Sequence, residues 1–172
     1  INLKIKNNEN WAILGANGSG KSTLIKLFSN DLYPTTKYPF KKEIFGEENW
    51  NIFELKKNLG IITNDLHNTF GSQGKYITAY EVILSGFYSS IQIFNHQDFT
   101  KEQHQKVLEV LEFLEILELK DKKVHQMSTG QLRRCIIGRA LIHDPKAFIL
   151  DEPTVGLDIK SQHSFIKLIQ KL

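Results

Sequence analysis

Cysteine, long apolar runs and an excess of charge of one sign are all scarce in this chain of 172 residues. The single cysteine, Cys135, excludes an internal disulfide and is typical of a reducing compartment. Its neighbours Ile136 and Ile137 favour a thiol packed in the core over a nucleophilic one. No apolar run approaches the ~18 residues of a membrane-spanning helix, so we expect no such helix in this sequence.

The charge pattern argues against a nucleic-acid partner. The formal net charge is only +3, and lysine and arginine are scattered, with short clusters such as Lys120–Lys123 and no basic stripe. We therefore expect a solvated surface and no nucleic acid. Hydrophobic residues make up 41% and charged residues 24%, which is typical of a globular protein with one domain, or one domain and a small inserted lobe.

Apolar runs predict a sheet whose strands are spread along the chain. Three short continuous runs have the pattern of strands buried on both faces: Trp11–Leu14, Gly60–Thr63 and Ala147–Leu150. Alternating apolar residues at 1, 3 and 5 predict a half-buried strand, and residues 44–45 predict another. Because it stands in the first of the continuous runs, we assign Trp11 to the core.

Helical spacing of apolar residues appears between and after these runs. We predict a helix after residue 23, a loop over 64–74, mostly helix over 78–119, a helix over 131–142 and another from about 159. Thr100 and Gln103 have the spacing of a capping box, in which each side chain bonds the backbone N–H of the other residue. The apolar residues that follow at spacings of three and four are expected on one helix face: Val107, Leu111, Leu114 and Leu117.

A glycine-rich segment between the first buried run and the first helix carries the chemistry. It matches the phosphate-binding pattern G-x-x-x-x-G-K-[ST], and an ordinary glycine-rich turn is the alternative. Glycines let such a loop curl so that backbone N–H groups point at phosphate, and the helix N-terminus adds its dipole. We expect Lys21 to contact the β- and γ-phosphates and Ser22 to bind Mg²⁺. The predicted ATP-binding residues are Gly15, Ala16, Asn17, Gly18, Ser19, Gly20, Lys21, Ser22 and Thr23.

Two carboxylates follow the last buried run. A carboxylate at the end of a strand can hold Mg²⁺ through water, and we assign this role to Asp151. Glu152 beside it is the candidate general base for the attacking water, and with Lys21 it completes the predicted catalytic pair. Taken alone, the pair Asp-Glu after an apolar run is a weak signal, because strands often end in acidic turns. After a phosphate loop it becomes a strong one.

Two further segments carry a resemblance to a family. Met127–Gln131 resembles the signature motif Leu-Ser-Gly-Gly-Gln of ABC ATPases, and Pro153–Asp158 resembles that family's segment after the second carboxylate. The order and spacing of all four elements agree, and the resemblance covers essentially the whole chain. It implies that Asp158 lies at a dimer interface. It also implies that a signature group of four residues contacts ATP held by a partner subunit: Ser128, Thr129, Gly130 and Gln131. For Ser128 a plain helix N-cap is the alternative.

The resemblance implies an α/β fold: a P-loop NTPase core with a mostly parallel sheet, an N-terminal antiparallel β portion and an inserted α-helical lobe. We expect a single domain over 1–172, truncated at both ends, with 1–75 and 125–172 as the ATP-binding core and about 76–124 as the lobe. Residues 77–87 and the Ser-Thr-Gly of the signature are similar to the molybdate-type branch.

The chain departs from the family at a few positions. Asn64 stands where the family's glutamine loop places a longer side chain, and His67 is the alternative for a related role, although a surface-loop histidine is the simpler interpretation. The adenine-stacking aromatic residue and the switch histidine are expected outside the two ends of this sequence. His163 is interpreted as a surface residue of a helix.

By resemblance, the expected function is ATP hydrolysis that drives transport. The implied cofactors are ATP and Mg²⁺. The implied partners are a second ABC ATPase domain, in a homodimer or pseudo-dimer, and a membrane permease on whose cytoplasmic side the protein sits. Two rivals remain open. One is a soluble ABC ATPase acting on ribosomes or DNA, and the other is a regulatory module that binds ATP without turnover, against which Glu152 argues.

Overall fold

The computed structural model describes residues 2–35, 37 and 39–171 of the chain. Short 3₁₀ turns lie at Ser85–Tyr88, Leu117–Leu119 and Val124–Gln126. Within these described ranges no helix combines the length and the apolar character needed to cross a membrane. The helices and strands follow in the order α1 (Lys21–Phe28), α2 (Ile52–Asn58), β1 (Leu59–Ile62), α3 (Asn64–Ser72), α4 (Ala79–Leu84), α5 (Lys101–Phe113), α6 (Thr129–Leu141), β2 (Ala147–Leu150) and α7 (Ile159–Ile169).

Strands β1 and β2 form a parallel pair, with Leu59 opposite Ala147 and Ile62 opposite Leu150. Parallel neighbours need a crossover connection, and here it consists of helices α3 to α6. The backbone N–H of Asp151 donates to the Ile62 carbonyl at 2.9 Å and continues the pairing by one residue. The predicted α/β class with parallel pairing is confirmed, and the carboxyl ends of both strands meet at one edge.

Helix α6 lies at the centre of the packing and contacts α4, α5 and β1. Its Gly138 permits this close approach, because a Cβ there would lie 2.8 Å from Cδ1 of Ile83 and 2.9 Å from Cδ1 of Leu114. Cys135 on the same helix is fully buried, and burial raises the pKa of its thiol to about 12. The prediction of a packed thiol is therefore confirmed.

Helix starts in this part of the chain agree with the capping patterns of the sequence. The predicted box of Thr100 and Gln103 is confirmed at the start of α5, with both reciprocal hydrogen bonds formed. The helix ends at Phe113, earlier than the apolar spacing indicates. Leu117 consequently falls in a 3₁₀ turn and is 37% exposed, so its placement on the same helix face was wrong. The other three apolar residues of that face are buried: Val107, Leu111 and Leu114.

The N-terminal segment, which we define as residues 2–50, differs from the prediction. Trp11–Leu14 forms no strand, and Trp11 is 53% and Leu14 93% exposed. The Trp11 indole donates to a Glu9 carboxylate oxygen at 3.0 Å. A strand needs a hydrogen-bonded neighbour, and none runs beside Trp11–Leu14 within the described residues. The buried strand and the core position of Trp11 were therefore wrong.

Two other strand predictions in this segment were also wrong. Residues 2–5 form no strand, and Ile1 lies outside the described residues. Ile44 makes a single antiparallel bridge to Glu47, which closes a tight turn through Phe45 and Gly46, both at positive φ. Two residues at positive φ suit a hairpin turn, but among the described residues no second antiparallel pair continues this bridge into a ladder. No antiparallel strand pair thus occurs in the described part of residues 2–50, where the resemblance implied one.

The predicted loop over 64–74 is mostly helix α3. Thr63 caps it, because its Oγ1 accepts from the backbone N–H of Leu66 at 3.2 Å. Phe70 is fully buried, and Leu66 one turn earlier also packs against the core. This four-residue spacing behind a threonine was the sequence signal for the helix. His67 is in consequence half-buried on a helix, and its interpretation as a surface-loop residue was wrong.

Candidate functional site

The phosphate loop takes its shape from two glycines in the left-handed region. Gly18 has φ 79° and Gly20 has φ 94°, values that side chains other than glycine adopt with strain. Within the curl, the Ser19 N–H donates to the Ala16 carbonyl at 3.2 Å. Gly20 is the N-cap of α1 and offers no side chain to the first turn. The first backbone N–H groups of α1 are therefore available to an anion.

Lys21 folds back over the loop that precedes it. Its Nζ donates to the carbonyl of Gly15 at 2.9 Å and to that of Ala16 at 3.0 Å. These bonds hold the ammonium group against the loop. Phosphate oxygens would replace the two carbonyls as its acceptors, and charge-assisted bonds to phosphate are the stronger ones.

The end of β2 meets the start of α1 at the predicted metal position. The Ser22 hydroxyl donates to Oδ2 of Asp151 at 3.2 Å, although the two residues are 129 positions apart in the chain. A hydroxyl and a carboxylate are hard oxygen donors, the ligand type that Mg²⁺ prefers, together with phosphate oxygens and water. The donor set of this chain thus fits a magnesium ion carried in with a nucleotide.

Glu152 follows Asp151 in an unusual backbone conformation. Its φ is 48°, in the left-handed region, and it is exposed. A glutamate in this region is strained, and such strain is concentrated at functional sites. The backbone N–H of Val155 donates to the Glu152 carbonyl at 3.2 Å and stabilises the turn. Within the described residues its carboxylate accepts no hydrogen bond, so it is available to a water molecule.

Ser128 is the N-cap of α6 and forms a capping box with Gln131. Its Oγ accepts from the Gln131 N–H at 3.2 Å, and Oε1 of Gln131 accepts from the Ser128 N–H at 3.0 Å and from Nζ of Lys122 at 3.0 Å. Thr129 is exposed, whereas Gly130 lies against α7, where a Cβ would be 3.5 Å from Oγ of Ser161. The N-cap alternative for Ser128 describes its contacts within this chain, and the proton of its hydroxyl remains available to another acceptor.

Asp158 also caps a helix. Its carboxylate accepts from the backbone N–H of Ser161 at 2.9 Å and from the Ser161 hydroxyl at 2.7 Å, at the start of α7. These two bonds, the backbone one first, lower the pKa of Asp158. The residue is exposed, so a second surface can reach it.

Asn64 meets a residue that the sequence analysis did not assign to the site. Its Oδ1 accepts from Nη2 of Arg133 at 2.8 Å, and the same Nη2 donates to the Val155 carbonyl at 3.3 Å. Arg133 is 2% exposed, and burial lowers its pKa. Burial, and next the charge of Arg133, lower the pKa of His67. An arginine one turn into a helix gives no sequence signal of burial, because most arginines lie at the surface.

The predicted site residues therefore fall into two groups. The phosphate loop and Asp151 meet through Ser22, with Glu152 beside them. The signature group packs near the turn before α7 and near Asn64 and Arg133. In the part of the chain that the structure describes, no hydrogen bond joins the phosphate loop to the signature group.

Comparison with known proteins identifies the family of this chain. The family described as ABC transporter matches residues 1–155. This chain belongs to the ABC transporter family, as an ATP-binding domain. The matches of similar identity include several differently named branches, so the molybdate-type resemblance stays a prediction for this ABC domain.

Individual relatives agree with this family. An uncharacterized ABC transporter ATP-binding protein of Bacillus subtilis, YlmA, is 31% identical over 98% of the chain and 62% of its own length. The structure of CbiO1 from Clostridium perfringens, part of the ABC transporter complex CbiONQ, has a TM-score of 0.76 at 30% identity and covers 99% of this chain and 64% of that one. The ATP-binding cassette MJ0796, solved as a dimer bound to ADP and Pi after hydrolysis, has a TM-score of 0.74 at 28% identity, over 100% and 72%.

The ABC domain is shorter than many proteins that it resembles. It spans 62%, 33% and 32% of the length of three curated relatives that it matches.

Proposed function

We propose that the protein containing this ABC domain hydrolyses ATP and couples closure of a dimer to transport through a membrane permease. The observation that carries the proposal is the contact of Ser22 with Asp151, which joins the phosphate loop to the strand that ends in Glu152. This group of residues combines N–H groups that can donate hydrogen bonds to phosphate, hard oxygen ligands for a metal ion, and a carboxylate that can accept a proton from water. Hydrolysis of the bond to the γ-phosphate needs these three functions.

Each residue has a distinct role in this proposal. The loop amides, the start of α1 and Lys21 bind and orient the phosphates of ATP. Ser22 and Asp151 would hold Mg²⁺, which when bound neutralises charge on the phosphate oxygens. Glu152 accepts a proton from the water that attacks the γ-phosphorus atom in line with the leaving ADP oxygen.

The proposal needs a second ABC domain for each nucleotide. Ser128 and the N–H groups of Thr129 and Gly130 would donate to the γ-phosphate bound in the partner subunit, with Asp158 nearby. It is supported by the dimer solved for MJ0796, a related cassette. The name of CbiO1 as part of an ABC transporter complex supports a membrane permease as the further partner, with this domain on the cytoplasmic face.

The test is ATP hydrolysis by the full-length protein, with Glu152→Gln compared with wild type. We expect turnover to fall by about 10²- to 10⁴-fold, the usual contribution of a general base, while ATP affinity stays close to that of wild type. Glu112→Gln, at an exposed position of α5, is the matched control and should leave turnover unchanged. Unchanged turnover in the Glu152 variant would remove the catalytic assignment. Failure to co-purify a permease from membranes would remove the coupling to transport.

A further inference from the structure

The side chain of Asn64 is directed at α6. It stands at the carboxyl end of β1, directly after the cap residue Thr63, and β1 pairs with the strand that leads to Asp151. The family resemblance would turn a side chain at this position toward the metal position at Ser22 and Asp151, whereas the structure shows Asn64 in contact with α6. The 2.8 Å bond to Arg133 commits its amide oxygen to α6.

Arg133 depends strongly on this bond. It is 2% exposed, and among the described residues Nη2 is its only donor with partners, Asn64 at 2.8 Å and the Val155 carbonyl at 3.3 Å. Its Nε and Nη1 atoms are buried without a hydrogen-bond partner among the described residues. A buried charged group that has few hydrogen-bond acceptors is strongly destabilised when one of those acceptors is removed. Asn64 supplies the shorter of the two bonds and so fixes where the guanidinium lies.

The guanidinium in turn connects two segments of the proposed ATPase site. It lies on α6, within two residues of Gln131 at the end of the signature group. Through the Val155 carbonyl it reaches the turn between Glu152 and α7, and the Val155 N–H donates to the Glu152 carbonyl at 3.2 Å. Hydrogen bonds thus run from Asn64 through Arg133 and Val155 to the backbone of Glu152.

We propose that Asn64 is a positioning residue that acts through Arg133, and not a magnesium ligand. It holds the turn carrying Glu152 and the signature helix α6 in one fixed arrangement. An asparagine suits this role because, at the first residue of α3, its short side chain sets the amide oxygen on the buried Arg133. This inference rests on the proposed ATPase function.

The first experiment measures Mg²⁺ dependence and ATP kinetics of the full-length protein. For Asn64→Ala we expect kcat to fall by about tenfold or more, with KM for ATP and the Mg²⁺ concentration at half-maximal turnover within about twofold of wild type. Asn64→Asp keeps the acceptor oxygen for Arg133 and should recover most of the lost kcat at an unchanged Mg²⁺ midpoint. A shift of the Mg²⁺ midpoint in either variant would overturn the proposal, because a metal ligand was changed. Asn95→Ala, at an exposed asparagine, is the matched control.

The second experiment asks whether Asn64 acts through Arg133. In a double-mutant cycle with Arg133→Met, the loss caused by Asn64→Ala should nearly disappear, since its partner is already gone. Arg133→Lys replaces the methionine variant if the latter does not fold. Additive losses would overturn the proposal. If the wild-type protein hydrolyses no ATP, the proposed function fails, and the same cycle read by thermal unfolding and by Mg²⁺-dependent nucleotide binding still tests the Asn64 contact.

Discussion

The N-terminal segment and the remainder of the chain are organised differently. Every buried apolar side chain of the described residues lies between Leu55 and Leu168, whereas Ser29 and Asn30 are the only buried residues in the described part of 2–50. Yet the N-terminal segment contains the phosphate loop, curled at its glycines with the first N–H groups of α1 unbonded among the described residues. A hydrogen bond from Ser22 to Asp151 connects this loop to the packed part of the chain. The geometry of such a loop is a local property of its glycines, while a packed core requires partners that are far apart in the chain.

The largest effect should come from opening a cavity in the packed part. Leu111 is fully buried on α5, and Leu111→Ala should lower the free energy of unfolding by about 2–5 kcal/mol. Chemical denaturation with a two-state fit measures this loss. A loss below about 0.5 kcal/mol, the scale of surface substitutions, would mean that the core does not depend on this side chain.

Lys21→Ala, in the N-terminal segment, should weaken ATP binding and leave the stability of the fold almost unchanged. Among the described residues the ammonium group bonds only to exposed loop carbonyls, so we expect a small change in the free energy of unfolding. ATP affinity should fall by about 10- to 100-fold, since a hydrogen bond to a charged group contributes about 1.5–3 kcal/mol. Equilibrium binding of a fluorescent ATP analogue measures the change. Unaltered affinity would contradict the predicted phosphate contact.

Acidification should weaken the packed part through His67. Burial, and next the charge of Arg133, lower its pKa in the folded state, whereas the unfolded chain takes up its proton near pH 6.5. Below about pH 6.5 the unfolded state therefore binds more protons, and stability falls as pH falls. His67→Gln should flatten the plot of unfolding free energy against pH between about pH 7 and 5. An equally steep plot for the variant would show that His67 is not the group responsible.

The smallest effect is expected at Leu14, and it tests the comparison most directly. Its side chain is 93% exposed, so Leu14→Ala should change the free energy of unfolding by no more than about 0.5 kcal/mol. The same denaturation measurement applies. A loss comparable to that of Leu111→Ala would show that residues 11–14 are buried, as their apolar pattern predicts.

Predictions based on local patterns are confirmed where the fold supplies the contacts that each pattern needs. The capping box of Thr100 and Gln103 forms within one helical turn, whereas the strand at Ala147–Leu150 pairs with the distant Leu59–Ile62 and Cys135 is buried by packing. Trp11–Leu14 has an equally apolar pattern but no strand beside it among the described residues. A periodicity therefore identifies residues able to form a strand, and pairing decides whether they do.

The same limit applies to the candidate site. The loop of the candidate phosphate site could be located from the sequence, because the pattern is contiguous and its glycines shape the loop itself. The contact of Asn64 with Arg133 could not, since it joins residues 69 positions apart and buries a side chain that is normally exposed.

The sequence by itself determined the family, the phosphate-loop pattern and the order of the two candidate carboxylates, because these depend on residue type at fixed spacing. Only the tertiary structure decided which of those residues meet. It joined Ser22 to Asp151 and directed Asn64 to Arg133. The physical reason is that a hydrogen bond between distant residues requires the packing of α3, α6 and β2 to bring its two atoms within about 3 Å.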